Sequence, residues 1–143
     1  MNLYSADVLA VLPHRPPMLR VDGVLAIEPG RRGVARNVIS IGEPLATSAP
    51  DWSGVWLIEA IAQAGRLTAS LGTDAAGRAG YLASIENFHI VRPAGPGDAL
   101  TLEVEVAAGR RGFVCVRGQV KAGDDLVAEG EVVLSMPRDE SAR

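Results

Sequence analysis

Cysteine, histidine and aromatic side chains are scarce in this chain, and each scarcity closes off some functions. A single cysteine, Cys115, in 143 residues excludes an internal disulfide framework and fits a reducing compartment. With no histidine or second cysteine near it in sequence, Cys115 is expected to be a small buried or half-buried strand residue. The 14 lysines and arginines against 17 acids leave a net charge of −3. The arginines are scattered, so there is no basic stripe to suit a nucleic acid. No apolar run approaches the roughly 20 residues needed to span a bilayer, and the charged-then-apolar pattern of a signal peptide is missing. The expectation is a cytoplasmic chain without a nucleic-acid or membrane partner.

A length of 143 residues fits one domain, assigned here to residues 1–137 with a polar tail over 138–143. Such a chain buries about two-thirds of its unfolded surface. Residues 5–12 form a short apolar-polar segment, one or two helical turns, ended by Pro13. Two strand-like runs follow, 18–27 and 33–41, divided by the turn signal Pro29-Gly30. In the last half, Leu100, Leu102, Val104 and Val106 alternate with Thr101, Glu103 and Glu105, the period-two mark of a half-buried strand. The same alternation recurs at Val114, Val116, Gly118 and Val120, and again from Ala128 to Met136. Residues 81–91 supply a further strand ahead of Pro93.

Between these halves lies a nearly all-apolar helix from Gly54 to about Leu71, stopped by Gly72. Glu59 is its lone carboxylate. A charge there must be paired, protonated or used, because burying it bare is prohibitively costly. Gln63 stands four residues on, on the same helix face. A carboxyl beside an amide in apolar surroundings marks a candidate site. A helix apolar all round must be covered on every side. The expected architecture is therefore α+β: a long central helix wrapped by a curved antiparallel sheet of about five or six strands, with a second subunit covering the rest.

Three stretches together resemble the β-hydroxyacyl-acyl-carrier-protein dehydratases of the hotdog fold. Leu12-Pro-His-Arg-Pro-Pro-Met-Leu-Arg-Val-Asp22 is similar to that family's "LPHRYPFLLVDR". Gly54-Val-Trp-Leu-Ile-Glu-Ala-Ile-Ala-Gln-Ala-Gly65 is similar to its "PGVLIIEAMAQAAG" helix, and Val91-Arg-Pro-Ala-Gly-Pro-Gly-Asp-Ala-Leu100 to its "RPVxPGDxL" turn. Their order holds over nearly the whole chain. The resemblance implies a dimer with acyl tunnels at the subunit boundary and no cofactor or metal. The substrate it implies is a 3-hydroxyacyl thioester on acyl carrier protein, dehydrated to the trans-2-enoyl product. Glu59 is then the acid, with its pKa raised by apolar surroundings so that it can protonate the departing hydroxyl. Gly54 and Val55, at the helix N-terminus, bind substrate where unpaired amides face a developing enolate. Gln63 and Trp52 complete the expected substrate-binding set.

The chain departs from the family at the base. The family's catalytic histidine lies in a Gly-His-Phe-Pro stretch fourteen residues before the helix carboxylate; that position here is Leu45, and residues 42–53 contain no histidine. Only His14 and His89 exist. His14 is the candidate base, against a structural role at its turn, and a water or a partner chain are the other sources. His89 is expected to line or leave a strand face, and Asp51 and Glu43 to be loop acids. Trp52 and Trp56 either serve packing or wall a tunnel for a flat acyl chain. A loop without the histidine, a tryptophan just before the helix and the kept opening motif are similar to the divergent ApeP-like branch of aryl polyene pathways. That likeness implies a homodimer, or a heterodimer with a second, histidine-bearing dehydratase. A non-catalytic heterodimer subunit and an acyl thioesterase are the competing functions.

Overall fold

Side-chain parity along the strands decides which way the sheet faces. Leu100, Leu102 and Val104 are buried, as are Val116 and Val120 on the next strand, while Glu105 and Arg117 are exposed. The computed structural model describes residues 5–41, 53–78, 80–109 and 111–136. In chain order these form α1 (Ser5–Val11), β1 (Gly23–Glu28), β2 (Arg32–Val38), α2 (Ser53–Ser70), β3 (Tyr81–Ile90), β4 (Ala99–Ala108), β5 (Phe113–Ala122) and β6 (Asp125–Ser135). The six strands make one sheet in the order β1-β2-β4-β5-β6-β3, and every pairing is antiparallel. This is the α+β hotdog architecture expected, with one long helix lying on one face of the sheet.

Close approach of helix and sheet is set by small residues. A Cβ at Gly65 would come within 2.5 Å of Val116 Cγ2, and one at Gly118 within 2.5 Å of Ile61 Cδ1. The helix therefore rests directly on β5, and Ile61 and Leu67 are almost wholly buried. Each such side chain contributes roughly 1.5–3 kcal/mol of burial. On its other side α2 is covered by its own chain: Val8, Val11, Leu12 and Val21 join the same core. A second subunit is thus not needed to cover most of α2. Exposed apolar surface remains at Val55 (70%) on the first turn of α2 and at Tyr81 (75%), Ile85 and Ile90 on the edge strand β3.

Two strands are shorter than periodicity predicts. The expected run 18–27 begins only at Gly23, because the backbone of Met18 and Arg20 is engaged by the Gln63 side chain instead of a neighbouring strand. The run 33–41 ends at Val38, after which Ile39 pairs with the 95–98 turn through Ile39 N to Asp98 O (2.9 Å) and Gly97 N to Ile39 O (2.9 Å). Cys115 corrects a second expectation: it lies on β5 but is exposed. Its neighbours Val114 and Val116 point to the core, so the pleat turns the thiol outward. The polar tail expected over 138–143 lies outside the described residues. No helix among the described residues is long and apolar enough to cross a membrane.

Candidate active site

Glu59 and Gln63 lie one turn apart on α2, and the Gln63 amide organises the surroundings. Its Nε2 donates to Glu59 Oε1 at 2.8 Å and to Met18 O at 2.9 Å, while its Oε1 accepts from Arg20 N at 2.6 Å. Gln63 is only 1% exposed, so these bonds form where an unpaired polar group is costly. Both amide hydrogens are thereby used within the chain. Of the two roles open to Gln63, binding substrate or holding the Glu59 carboxyl, the described contacts are of the second kind, and they tie the carboxylate to the 12–22 segment.

That segment delivers His14. Arg15, next in sequence, donates from Nη1 to Leu12 O (2.8 Å) and His14 O (2.7 Å), and from Nη2 to Leu9 O (3.0 Å). A cation at the end of α1 satisfies carbonyls that the helix leaves open. It also fixes the backbone from which His14 projects. His14 Nε2 then stands 3.6 Å from Glu59 Oε1, both side chains being about one-quarter exposed (26%/26%). The distance is slightly beyond hydrogen-bonding reach and closes with a small movement. Burial pushes the His14 pKa below its usual value, opposed by Glu59 and assisted by Arg66 and Arg15. The balance favours the neutral imidazole.

Arg20 sits beneath the rim of this site. It is buried, donates from Nη2 to Pro17 O, and places its guanidinium carbon 4.5 Å from the centroid of the Trp56 ring. This cation–π contact holds the indole on the first turn of α2, one turn before Glu59. Gly54 lies against β3, where a Cβ would come within 2.9 Å of Ile90 Cδ1, and Val55 is exposed beside it. Trp52, Asp51, Glu43 and Leu45 lie outside the described residues.

His89 is not part of this cluster. It lines a groove of about 810 Å³ together with Arg117, Gln119, Glu129 and Glu131. Cross-strand pairs hold the groove's charges, Arg117 Nη2 to Glu131 Oε1 at 2.9 Å and Gln119 Nε2 to Glu129 Oε2 at 3.2 Å. None of His14, Glu59 or Gln63 touches it. Sequence reasoning missed Arg20 and Arg66. Arg66 carried a usable signal, since it lies seven residues past Glu59 and so on the same helical stripe as Gln63.

A profile described as the FabA-like domain matches residues 12–131. The 3-hydroxyacyl-acyl-carrier-protein dehydratase FabZ of Symbiobacterium thermophilum is 39% identical over 132 residues, covering 90% of this chain and 93% of that protein. The chain belongs to the FabA-like dehydratase family. The FabZ of Syntrophotalea carbinolica, another relative of this dehydratase family, is 36% identical over 137 residues, covering 92% of this chain and 93% of that protein. Among solved structures, the dehydratase heterocomplex ApeI:P from Xenorhabdus doucetiae shares the hotdog fold. Its TM-score is 0.78 at 18% identity, over 92% of this chain and 91% of that one. Within the family frame, the helix carboxylate and its amide neighbour are in place, and a histidine from the opening motif stands beside them.

Proposed function

We propose that this chain dehydrates a 3-hydroxyacyl thioester carried on acyl carrier protein, with Glu59 as acid and His14 as base. The observation that carries the reading is the 3.6 Å approach of His14 Nε2 to Glu59 Oε1 within one chain. The competent state has a neutral imidazole and a protonated carboxyl. His14 Nε2 takes the C2 proton, the C2–H electrons form the C2–C3 double bond, and the C3–O bond breaks as Glu59 protonates the hydroxyl to release water. In this reading, backbone amides at the start of α2, near Gly54 and Val55, stabilise enolate character on the thioester oxygen. The resulting imidazolium and carboxylate are adjacent, so the proton returns from His14 to Glu59 and resets the pair. Gln63 keeps the carboxyl oriented throughout, and Trp52 and Trp56 are assigned to the acyl channel.

Purified protein given a 3-hydroxyacyl-carrier substrate should form the enoyl thioester without releasing free thiol. Glu59→Gln and His14→Gln should each lower the rate about 10²-fold or more, the scale of lost general acid or base catalysis. Full activity in His14→Gln would remove His14 from the base role. Release of free thiol instead would favour a thioesterase.

A second subunit is supported by a separate observation. Tyr81, Ile85 and Ile90 expose apolar surface along the terminal strand β3, and Ile90 lies against Gly54, the neighbour of exposed Val55 on α2. A partner, either another copy or a histidine-bearing dehydratase of the kind implied by the ApeP-like likeness, would cover it and close the acyl channel. Co-expression with a second dehydratase, followed by mass measurement of the purified complex, separates the two. Activity that appears only in the heterocomplex would favour the partner's histidine over His14.

A further inference from the structure

The His14 ring has no hydrogen bond that aims it. Its Nδ1 is buried with no partner among the described residues, and its Nε2 stands 3.6 Å from Glu59 Oε1, beyond ordinary hydrogen-bond length. In a working histidine, the bond made by one ring nitrogen commonly fixes how the other is presented. With neither nitrogen held in this way, the backbone that carries the ring decides where it points. That backbone converges on the next residue. Arg15 Nη1 donates to His14 O at 2.7 Å and to Leu12 O at 2.8 Å, and Nη2 donates to Leu9 O at 3.0 Å. The Arg15 carbonyl in turn accepts from Met18 N at 2.9 Å and Leu19 N at 3.1 Å. One residue thus joins the end of α1, the His14 carbonyl and the backbone at Met18. The end of α1 is itself fixed, since Gly77 N donates to Val11 O at 2.7 Å.

We infer that Arg15 is a positioning residue for His14, its guanidinium gripping the main chain so that the imidazole is presented to Glu59. The inference rests on the proposed pairing of His14 with Glu59. The pair then has two anchors of different kinds. Gln63 fastens the carboxyl, together with Met18 O and Arg20 N. Arg15 fastens the imidazole end through His14 O and the last carbonyls of α1. The grip needs a guanidinium and not merely a cation, because two of its nitrogens are used in a planar fork, and a lysine offers only one. Arg15 is exposed, so water replaces its bonds when they are lost and the fold gives up little. What is lost is the placing of the ring, and placing is where a small displacement costs an enzyme most.

The closeness of the pair can be measured without turnover. With only two histidines in the chain, NMR titration resolves His14 and His89, and His89→Asn assigns them. Glu59 raises the His14 midpoint, so Glu59→Gln should lower it, and the size of that drop reports how near the two side chains stand. In Arg15→Lys, which keeps the charge and loses the fork, the drop caused by Glu59→Gln should shrink to about half or less, as a charge effect that weakens with distance does. Arg15→Met should give the same result, since the charge it removes is absent from both members of the comparison and cancels in the difference. It also stands in if the lysine variant fails to fold. With a 3-hydroxyacyl-carrier substrate, kcat of Arg15→Lys should fall about 10- to 100-fold while KM changes little. A drop of wild-type size in a folded Arg15 variant overturns the inference, and so does a wild-type midpoint that Glu59→Gln leaves in place. A shrunken drop with an unchanged rate upholds the positioning by Arg15 and removes His14 from the base role instead.

Discussion

Gln63 Nε2 donates to Glu59 Oε1 across one turn of α2 at 2.8 Å, and its second hydrogen goes to Met18 O at 2.9 Å. The orientation of the helix carboxylate and the course of the 12–22 segment are therefore fixed by one side chain. Because His14 belongs to that segment, the same amide sets how far Glu59 and His14 stand apart.

Replacement of Gln63 by leucine removes that tie. Arg20 N is left buried without its partner and Met18 O loses a half-buried one, and a buried group so stranded costs about 1–3 kcal/mol. Urea unfolding should show a loss of about 1–3 kcal/mol, on the same principle. In the fraction that remains folded, kcat should fall more than KM rises. A variant as stable and as active as wild type would contradict the tie.

The depressed pKa of His14 has a consequence for stability against pH. Its folded value lies below the usual 6.5, with burial the first cause. Between the folded value and 6.5 the unfolded chain binds more protons than the folded one, so stability is full above 6.5 and declines as pH falls through the folded pKa. Melting temperature followed downward from neutral pH should decline in this window, and His14→Gln should flatten the decline. Turnover should show an acid limb in the same window.

Arg20→Met keeps most of the buried stem and removes the charge over Trp56. The cation–π contact is worth about 0.5–2 kcal/mol, and thermal unfolding should register a loss of that size. Indole emission, which reports the polarity around the ring, should shift as well. An unchanged spectrum and melting curve would show that Trp56 is held by something else.

Ile61→Ala tests the seat of α2 on β5. The side chain packs where Gly118 has no Cβ, and truncating such a residue costs about 2–5 kcal/mol. The cost should appear in unfolding, while activity per folded molecule should stay close to wild type. A fall in kcat without loss of stability would mean that the helix moves during the reaction.

The strands and the long helix were legible because their signals are local. Leu100 to Val106 alternate within one strand, and the apolar residues from Gly54 to Leu71 leave room for nothing but a helix. Parity would also have placed Cys115 on the outer face, since Val114 and Val116 flank it; scarcity of partners in sequence pointed the wrong way. Glu59 stood out as a lone charge. Its setting did not, because Gln63 and Met18 are 45 residues apart, and no period links a helix to a turn that passes over it. Arg20 was hidden for the same reason. An arginine reads as surface until the chain that buries it is in place.

The apolar edge left at β3 bears on how the chain behaves before it meets any substrate. An unpaired terminal strand offers a row of backbone donors and acceptors to whatever strand arrives first, and Tyr81, Ile85 and Ile90 make that encounter adhesive. A newly made copy with this edge uncovered is therefore open to aggregation and proteolysis. How fast the edge is covered then matters as much to the yield of working protein as the stability of the fold.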